Sequence, residues 1–136
     1  MHPPKTVPSL QLRLQSSPES ALLLRQRLCL WLDELGAKNG EVFDVSLACT
    51  EAFANAVEHP DQPTADVIDI DGNFNDGTIA ITVLDYGSWR SRRQREEGGY
   101  GFLLMRQLMD TVEVHTQPDG TRITMRRRLA RPPRFH

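Results

Sequence analysis

The stretch Ile68-Asp69-Ile70-Asp71-Gly72-Asn73-Phe74-Asn75-Asp76-Gly77-Thr78-Ile79-Ala80-Ile81-Thr82-Val83-Leu84-Asp85 decides the fold. Ile68, Ile70 and Phe74 fall on one side of an extended chain, with Asp69, Asp71 and Asn73 on the other. Asn75-Asp76-Gly77 is a hairpin turn signal. Ile79, Ile81 and Val83 form the next inward row, and the strand ends at Leu84-Asp85. Strands joined by so short a turn pair antiparallel.

Working outward, Leu10, Leu12 and Leu14 alternate with polar residues, the pattern of a strand buried on one face. Ser17 then reads as an N-cap with Pro18 at the first helical position. A Leu-rich helix over 21–35 closes at Gly36, a favourable residue just past a helix end. A second helix begins near Gly40-Glu41 and runs to about Glu58, with Val42, Val45, Ala48, Ala52 and Ala56 at steps of three and four. Pro60 stops it. After the hairpin, 87–99 is a polar, Arg-rich, glycine-bounded loop. A short helix over 101–109, a strand over 111–116, a turn at Pro118-Asp119-Gly120 and a strand over 121–129 follow. The order β-α-α-β-β-loop-α-β-β predicts an α/β (α+β) two-layer sandwich. Its sheet is expected to be mixed but mainly antiparallel, with about five strands and three helices on one face. Residues 1–136 are expected to form a single domain, with 1–8 and 130–136 flexible.

Composition narrows the function classes. The chain has 136 residues, 39% hydrophobic and 25% charged, an ordinary globular balance. No apolar run approaches the roughly 18 residues of a membrane span. The first ten residues carry three prolines and no apolar segment of a secretory signal. Cys29 and Cys49 sit in apolar helical patterns without metal-ligand spacing and read as reduced core thiols, which favours a cytoplasmic location. The net charge of −2 hides an asymmetry: −8 through Trp89 and +6 from Arg90 onward. Such a split marks either a surface for acidic partners or simply solvated arginines. No stacking aromatics accompany Arg126-Arg127-Arg128, so direct nucleic-acid binding is not expected.

Four short patterns carry chemistry. Glu51 and Asn55 lie one turn apart on the second helix, a carboxylate and a carboxamide able to present oxygens to a hard cation. Asp85-Tyr86-Gly87 ends a strand with an acceptor for an exocyclic amine and a glycine that gives a flat ligand clearance. Gly98-Gly99-Tyr100-Gly101 precedes a helix whose N-terminus attracts phosphate. Gly120-Thr121 brings a hydroxyl into the last strand. Each pattern alone has an ordinary structural reading as well. The glycines follow no strand directly and have neither the Rossmann spacing nor a Gly-Lys-Ser/Thr. His59 suits a helix C-terminus. Neither a zinc-spaced cluster nor a Ser-centred nucleophile elbow is present.

Their order and spacing are more specific. Glu51-x-x-x-Asn55, Asp85-x-Gly87, Gly99-x-Gly101 and Gly120-Thr121 resemble the N-box, two glycine boxes and terminal Gly-Thr of the GHKL ATPase superfamily. The strings Glu51-Ala52-Phe53-Ala54-Asn55-Ala56-Val57-Glu58-His59 and Gly99-Tyr100-Gly101-Phe102-Leu103-Leu104-Met105-Arg106-Gln107-Leu108-Met109-Asp110 look like those of the small anti-sigma factor serine/threonine kinases of the partner-switching type. The resemblance implies a Bergerat-type fold binding ATP and Mg²⁺. By it, Asn55 would ligate Mg²⁺ and Glu51 would serve as general base or orienting carboxylate for the incoming hydroxyl. Asp85 would take the adenine amine, Gly87 would give clearance, and Thr121 would support the adenine side. Gly99, Tyr100, Gly101 and Phe102 would line the phosphates, and 89–99, with Arg90, Arg92, Arg93 and Arg95, would be the lid. Gly87 is followed by Ser88-Trp89, where many superfamily members carry a further glycine; Trp89 is expected in the core. The implied partners are a sigma factor, a STAS-type anti-sigma factor antagonist as phosphorylation substrate, and a second copy of the chain. A non-catalytic ATP-binding module that only sequesters is the alternative.

Overall fold

The computed structural model describes residues 8–58, 66–86, 100–118 and 120–130. Five strands and three helices are found among them. They are β1 (Leu10–Gln15), α1 (Ser20–Glu34), α2 (Asn39–Glu58), β2 (Val67–Asn75), β3 (Thr78–Asp85), α3 (Tyr100–Leu108), β4 (Thr111–Gln117) and β5 (Gly120–Arg128). The sheet order is β1-β2-β3-β5-β4. All four strand pairs are antiparallel, so the expected mixed character is absent from these strands. The two-layer α+β fold is the one the element order implies.

The β2–β3 hairpin closes through Asp76 and Gly77, both at positive φ, 52° and 79°. Two such residues give the turn whose twist matches that of the flanking strands. Gly36 ends α1 at φ 81°. Its N–H donates to the Asp33 carbonyl and the Ala37 N–H to the Leu32 carbonyl, both at 3.0 Å, which satisfies carbonyls the helix leaves unpaired. The start of α1 differs from expectation. It begins at Ser20, and Ser17 is not its N-cap. Instead the Ser20 and Ala21 N–H groups donate to the Ser17 and Pro18 carbonyls at 3.1 Å, so a tight backbone turn meets the orphan donors first.

Ile68, Ile70, Ile79, Ile81, Val83, Ile123 and Met125 on the inner sheet face are buried against Leu24, Leu28, Leu32, Val45, Ala48, Phe53 and Met105 of the helices. Gly72 makes room within this layer. A Cβ there would meet Trp31 Cη2 at 2.8 Å, so only glycine lets the indole lie on the strand. The indole N–H donates to the Pro8 carbonyl at 2.8 Å.

One end of the sandwich is stapled by charge. Arg127, on β5, donates to Asp44 Oδ2 at 3.0 Å and to the Leu108 carbonyl at 2.6 Å, tying the start of α2 and the end of α3 to the sheet. The buried Glu41 carboxylate accepts the Lys38 N–H at 2.8 Å and the Ala130 N–H at 2.7 Å. The first bond completes the start of α2, and the second anchors the chain beyond β5. Pro8 and Ala130, which the sequence assigns to loose ends, are therefore both held. Residues 1–7 and 131–136 lie outside the described residues. Burial alone would raise the Glu41 pKa; the Ala130 and Lys38 N–H bonds and Arg127 hold it below the ordinary glutamate value.

Candidate functional site

From the stapled end, α2 rises about 1.5 Å per residue, which brings Glu51 and Asn55 to the other end of the sandwich. That is also where β3 finishes and β5 begins. Asp85 pairs with Thr121 in the β3–β5 register. The chain enters α3 at this end too, since Tyr100 opens the helix whose far end, Leu108, reaches Arg127. The fold thus gathers the described members of all four sequence patterns at one end.

Two groups form there. In the first, Glu51 and Asn55 face the first turn of α3. A Cβ built on Gly101 would stand 3.4 Å from Glu51 Oε2 and 3.8 Å from Asn55 Nδ2. The glycine therefore keeps open a gap between the Glu51 carboxylate, the Asn55 carboxamide and the positive end of a helix. Phe102, 2% exposed, packs into the core beneath and anchors the first turn of α3 there. Glu51 and Gly101, with Leu103, Leu104 and Gln107, line a cleft of about 200 Å³.

In the second group, Asp85 and Thr121 are buried side by side, 4% and 1% exposed. Their strands are very close: a Cβ on Gly120 would fall 2.3 Å from the Asp85 carbonyl oxygen. Glycine is required at this position by backbone contact, a stronger reason than the turn chemistry expected from sequence. Thr121 Oγ1 is fully buried and has no hydrogen-bond partner among the described residues. Buried hydroxyls are seldom left so, because the unmade bond costs about 1–3 kcal/mol. An orphaned acceptor and donor beside a buried carboxylate suits a ligand with nitrogen donors and acceptors. The oxygen donors of Glu51 and Asn55 likewise suit Mg²⁺, which prefers one or two protein oxygens plus phosphates and water.

Gly87, Gly99, the expected lid over 89–99, Trp89 and His59 lie outside the described residues; Tyr100 is described only as the first residue of α3. Among the described residues, no group of three His, Cys, Asp or Glu side chains is arranged to hold a metal by itself. No described helix is long and apolar enough to cross a membrane. Cys29 and Cys49 are free thiols, and burial pushes Cys49 up to about 12. A larger cleft of about 600 Å³ lies elsewhere, on the outer side of α1 and α2, lined by Gln26, Cys29, Leu30, Asp33, Asn39 and Val42. None of the four sequence patterns contributes a residue to it.

Sequence reasoning missed one feature near the site. On the outer sheet face, Arg13 donates to both Asp69 oxygens, Nε to Oδ1 at 2.7 Å and Nη2 to Oδ2 at 2.9 Å, and the Tyr86 hydroxyl donates to Asp69 Oδ2. Strand alternation was the available signal, since it turns Tyr86 to the face opposite Asp85.

Fold and motifs together define a class. Residues 14–127 match the histidine kinase-like ATPase domain family, and the chain belongs to it. Within that class it is similar to the anti-sigma F factor of Clostridium acetobutylicum, 27% identical over 134 residues, covering 89% of this chain and 94% of that protein. It is also similar to the anti-sigma F factor of Heyndrickxia coagulans, 27% identical over 136 residues, covering 89% and 92%. Among solved structures it resembles the crystal structure of the RsbU and RsbW domains of Rv1364c from Mycobacterium tuberculosis. That match has a TM-score of 0.78 and 29% identity, and covers 95% of this chain and 34% of that one.

Proposed function

We propose that the protein binds ATP with Mg²⁺ and is an anti-sigma factor serine/threonine kinase. In this reading it sequesters a sigma factor and phosphorylates an anti-sigma factor antagonist in the cytoplasm. The observation that carries the proposal is the approach of Gly101 to Glu51 and Asn55, which sets a carboxylate and a carboxamide against a helix N-terminus. The names of the curated relatives support the sigma-factor partner.

Phosphoryl transfer depends mainly on positioning and charge neutralisation. The first turn of α3 would hold phosphate oxygens through backbone N–H groups and the helix dipole. Asn55 would supply an oxygen to Mg²⁺, which, when bound, neutralises phosphate charge. Glu51 would orient the incoming serine or threonine hydroxyl and accept its proton, a role typically worth about 10²–10⁴-fold in rate. Asp85 would accept a hydrogen bond from the adenine amine, and Thr121 would bond the base directly or through water. Association with a second copy of the chain belongs to the same proposal.

Calorimetric titration with ATP, ADP and GTP, each with and without Mg²⁺, tests the site. Adenine-selective, Mg²⁺-enhanced binding is the expected result, and no nucleotide binding refutes it. Glu51→Ala should bind ATP but transfer phosphate poorly, whereas Asn55→Ala should lose the Mg²⁺-dependent part of binding. Normal ATP affinity without phosphotransfer to any antagonist would select the purely sequestering alternative.

A further inference from the structure

Asp85 is the last residue of β3, and a strand end is ordinarily the loosest part of a strand. Here it is constrained from both sides. Toward β5, the Asp85 carbonyl lies against Gly120, where even a methyl group would be only 2.3 Å away. On the outer sheet face, the next residue, Tyr86, reaches diagonally back across β2. Asp69 sits opposite Leu84 in the β2–β3 register, so Tyr86 is its diagonal neighbour, within reach of an aromatic side chain. Asp69 in turn sits directly opposite Arg13 on β1 and takes the guanidinium in a bidentate pair. Three strands are therefore linked at the level of Asp85.

Stability alone is a poor account of this network. The Arg13 side chain is 67% exposed, and an exposed ion pair contributes at most about 1 kcal/mol. The geometry is more specific than that value suggests, because the bidentate pair fixes the carboxylate plane and leaves Oδ2 aimed at Tyr86. The same contacts hold the Asp69 carboxyl below its ordinary value, through the Arg13 bond first, and raise the Tyr86 phenol, through its bond to Asp69.

We infer that Tyr86, held by Asp69 and Arg13, is a positioning residue that fixes the carboxylate of Asp85 for adenine recognition. This rests on the nucleotide-binding reading above. In this reading Tyr86 acts through the backbone it shares with Asp85. Its effect on binding should therefore appear in base selectivity more than in phosphate affinity.

The test is calorimetric titration of ATP, ADP and GTP into wild type, Tyr86→Phe, Arg13→Ala and the double variant. Asp71→Asn, an exposed carboxylate on the same face of β2 outside the network, is the control. Tyr86→Phe should weaken ATP and ADP binding by about three- to tenfold, because a freed Asp85 must be ordered again on binding, at a cost no larger than the worth of the lost bond. GTP binding should change little, so the ATP-to-GTP ratio narrows. Arg13→Ala should act in the same direction and add little to Tyr86→Phe, because both break one network. An unchanged ATP-to-GTP ratio in a folded Tyr86→Phe overturns the inference alone. If wild type binds no adenine nucleotide, the proposed function falls and the positioning role with it.

Discussion

Replacing Thr121 with valine should stabilise the free protein and weaken nucleotide binding by comparable amounts. The hydroxyl is buried, 1% exposed, and unpartnered among the described residues. Valine keeps the shape and strand preference of threonine but removes the polar atom. An unmade buried bond costs about 1–3 kcal/mol, so valine should gain about 1–2 kcal/mol in the free protein. For a chain of this size that raises Tm by about 3–8 °C. A nucleotide that bonds the hydroxyl relieves the same cost in wild type. Valine has no cost to relieve and no bond to make, so ATP should bind about five- to thirtyfold more weakly, the same 1–2 kcal/mol. Urea denaturation of the free proteins and ATP titration measure the two quantities separately. Thr121→Ser retains the hydroxyl and should keep more of the affinity. A valine variant no more stable than wild type would mean the hydroxyl is satisfied in the free protein. Unchanged affinity would mean that the nucleotide does not reach this strand. Either result would falsify the reasoning from the orphaned oxygen.

Gly101→Ala should fold normally, since its methyl would lie at ordinary contact distance, 3.4 Å from Glu51 Oε2, and helix propensity favours alanine by up to about 1 kcal/mol. Its Mg²⁺-dependent ATP affinity should nevertheless fall about tenfold in calorimetry, a loss of 1.4 kcal/mol, because the methyl fills the gap facing Glu51 and Asn55. Gly120→Ala should lower Tm and cost at least about 1–3 kcal/mol in urea unfolding, because the obstructing atom is a backbone oxygen that cannot rotate away. Glu41→Gln keeps one acceptor and loses the charge, so it should cost about 1.5–3 kcal/mol at neutral pH. The folded-state Glu41 pKa is depressed, so the wild-type advantage is present above the ordinary glutamate value and disappears as pH falls through the folded one. Urea midpoints of the two proteins measured from pH 7 down to pH 3 should converge, and a gap that stays constant would remove Glu41 from the acid response.

Much of this protein is written in local pattern. The alternation of Ile68, Ile70, Ile79, Ile81 and Val83 and the Asp76-Gly77 turn suffice for a hairpin, because side-chain period and positive φ are properties of a few neighbouring residues. Gly36 as a helix stop and the one-turn spacing of Glu51 and Asn55 are local in the same sense, and the family pattern adds the order of the site motifs. Other features depend on which strands become neighbours. Gly120 reads as a turn residue until β5 is laid against β3 and the Asp85 carbonyl lies beneath it. Gly72 reads as a weak spot in a strand until Trp31 occupies its face. Ser17 has the chemistry of a helix cap, but backbone carbonyls meet the same donors first. The pairing of Arg13 with Asp69, 56 positions apart, and with Tyr86 follows only from the antiparallel registers of β1, β2 and β3. Spacing along the chain carries information about one helix turn or one hairpin. Contacts between distant segments are set by the packing of whole layers, and the tertiary structure alone decides those.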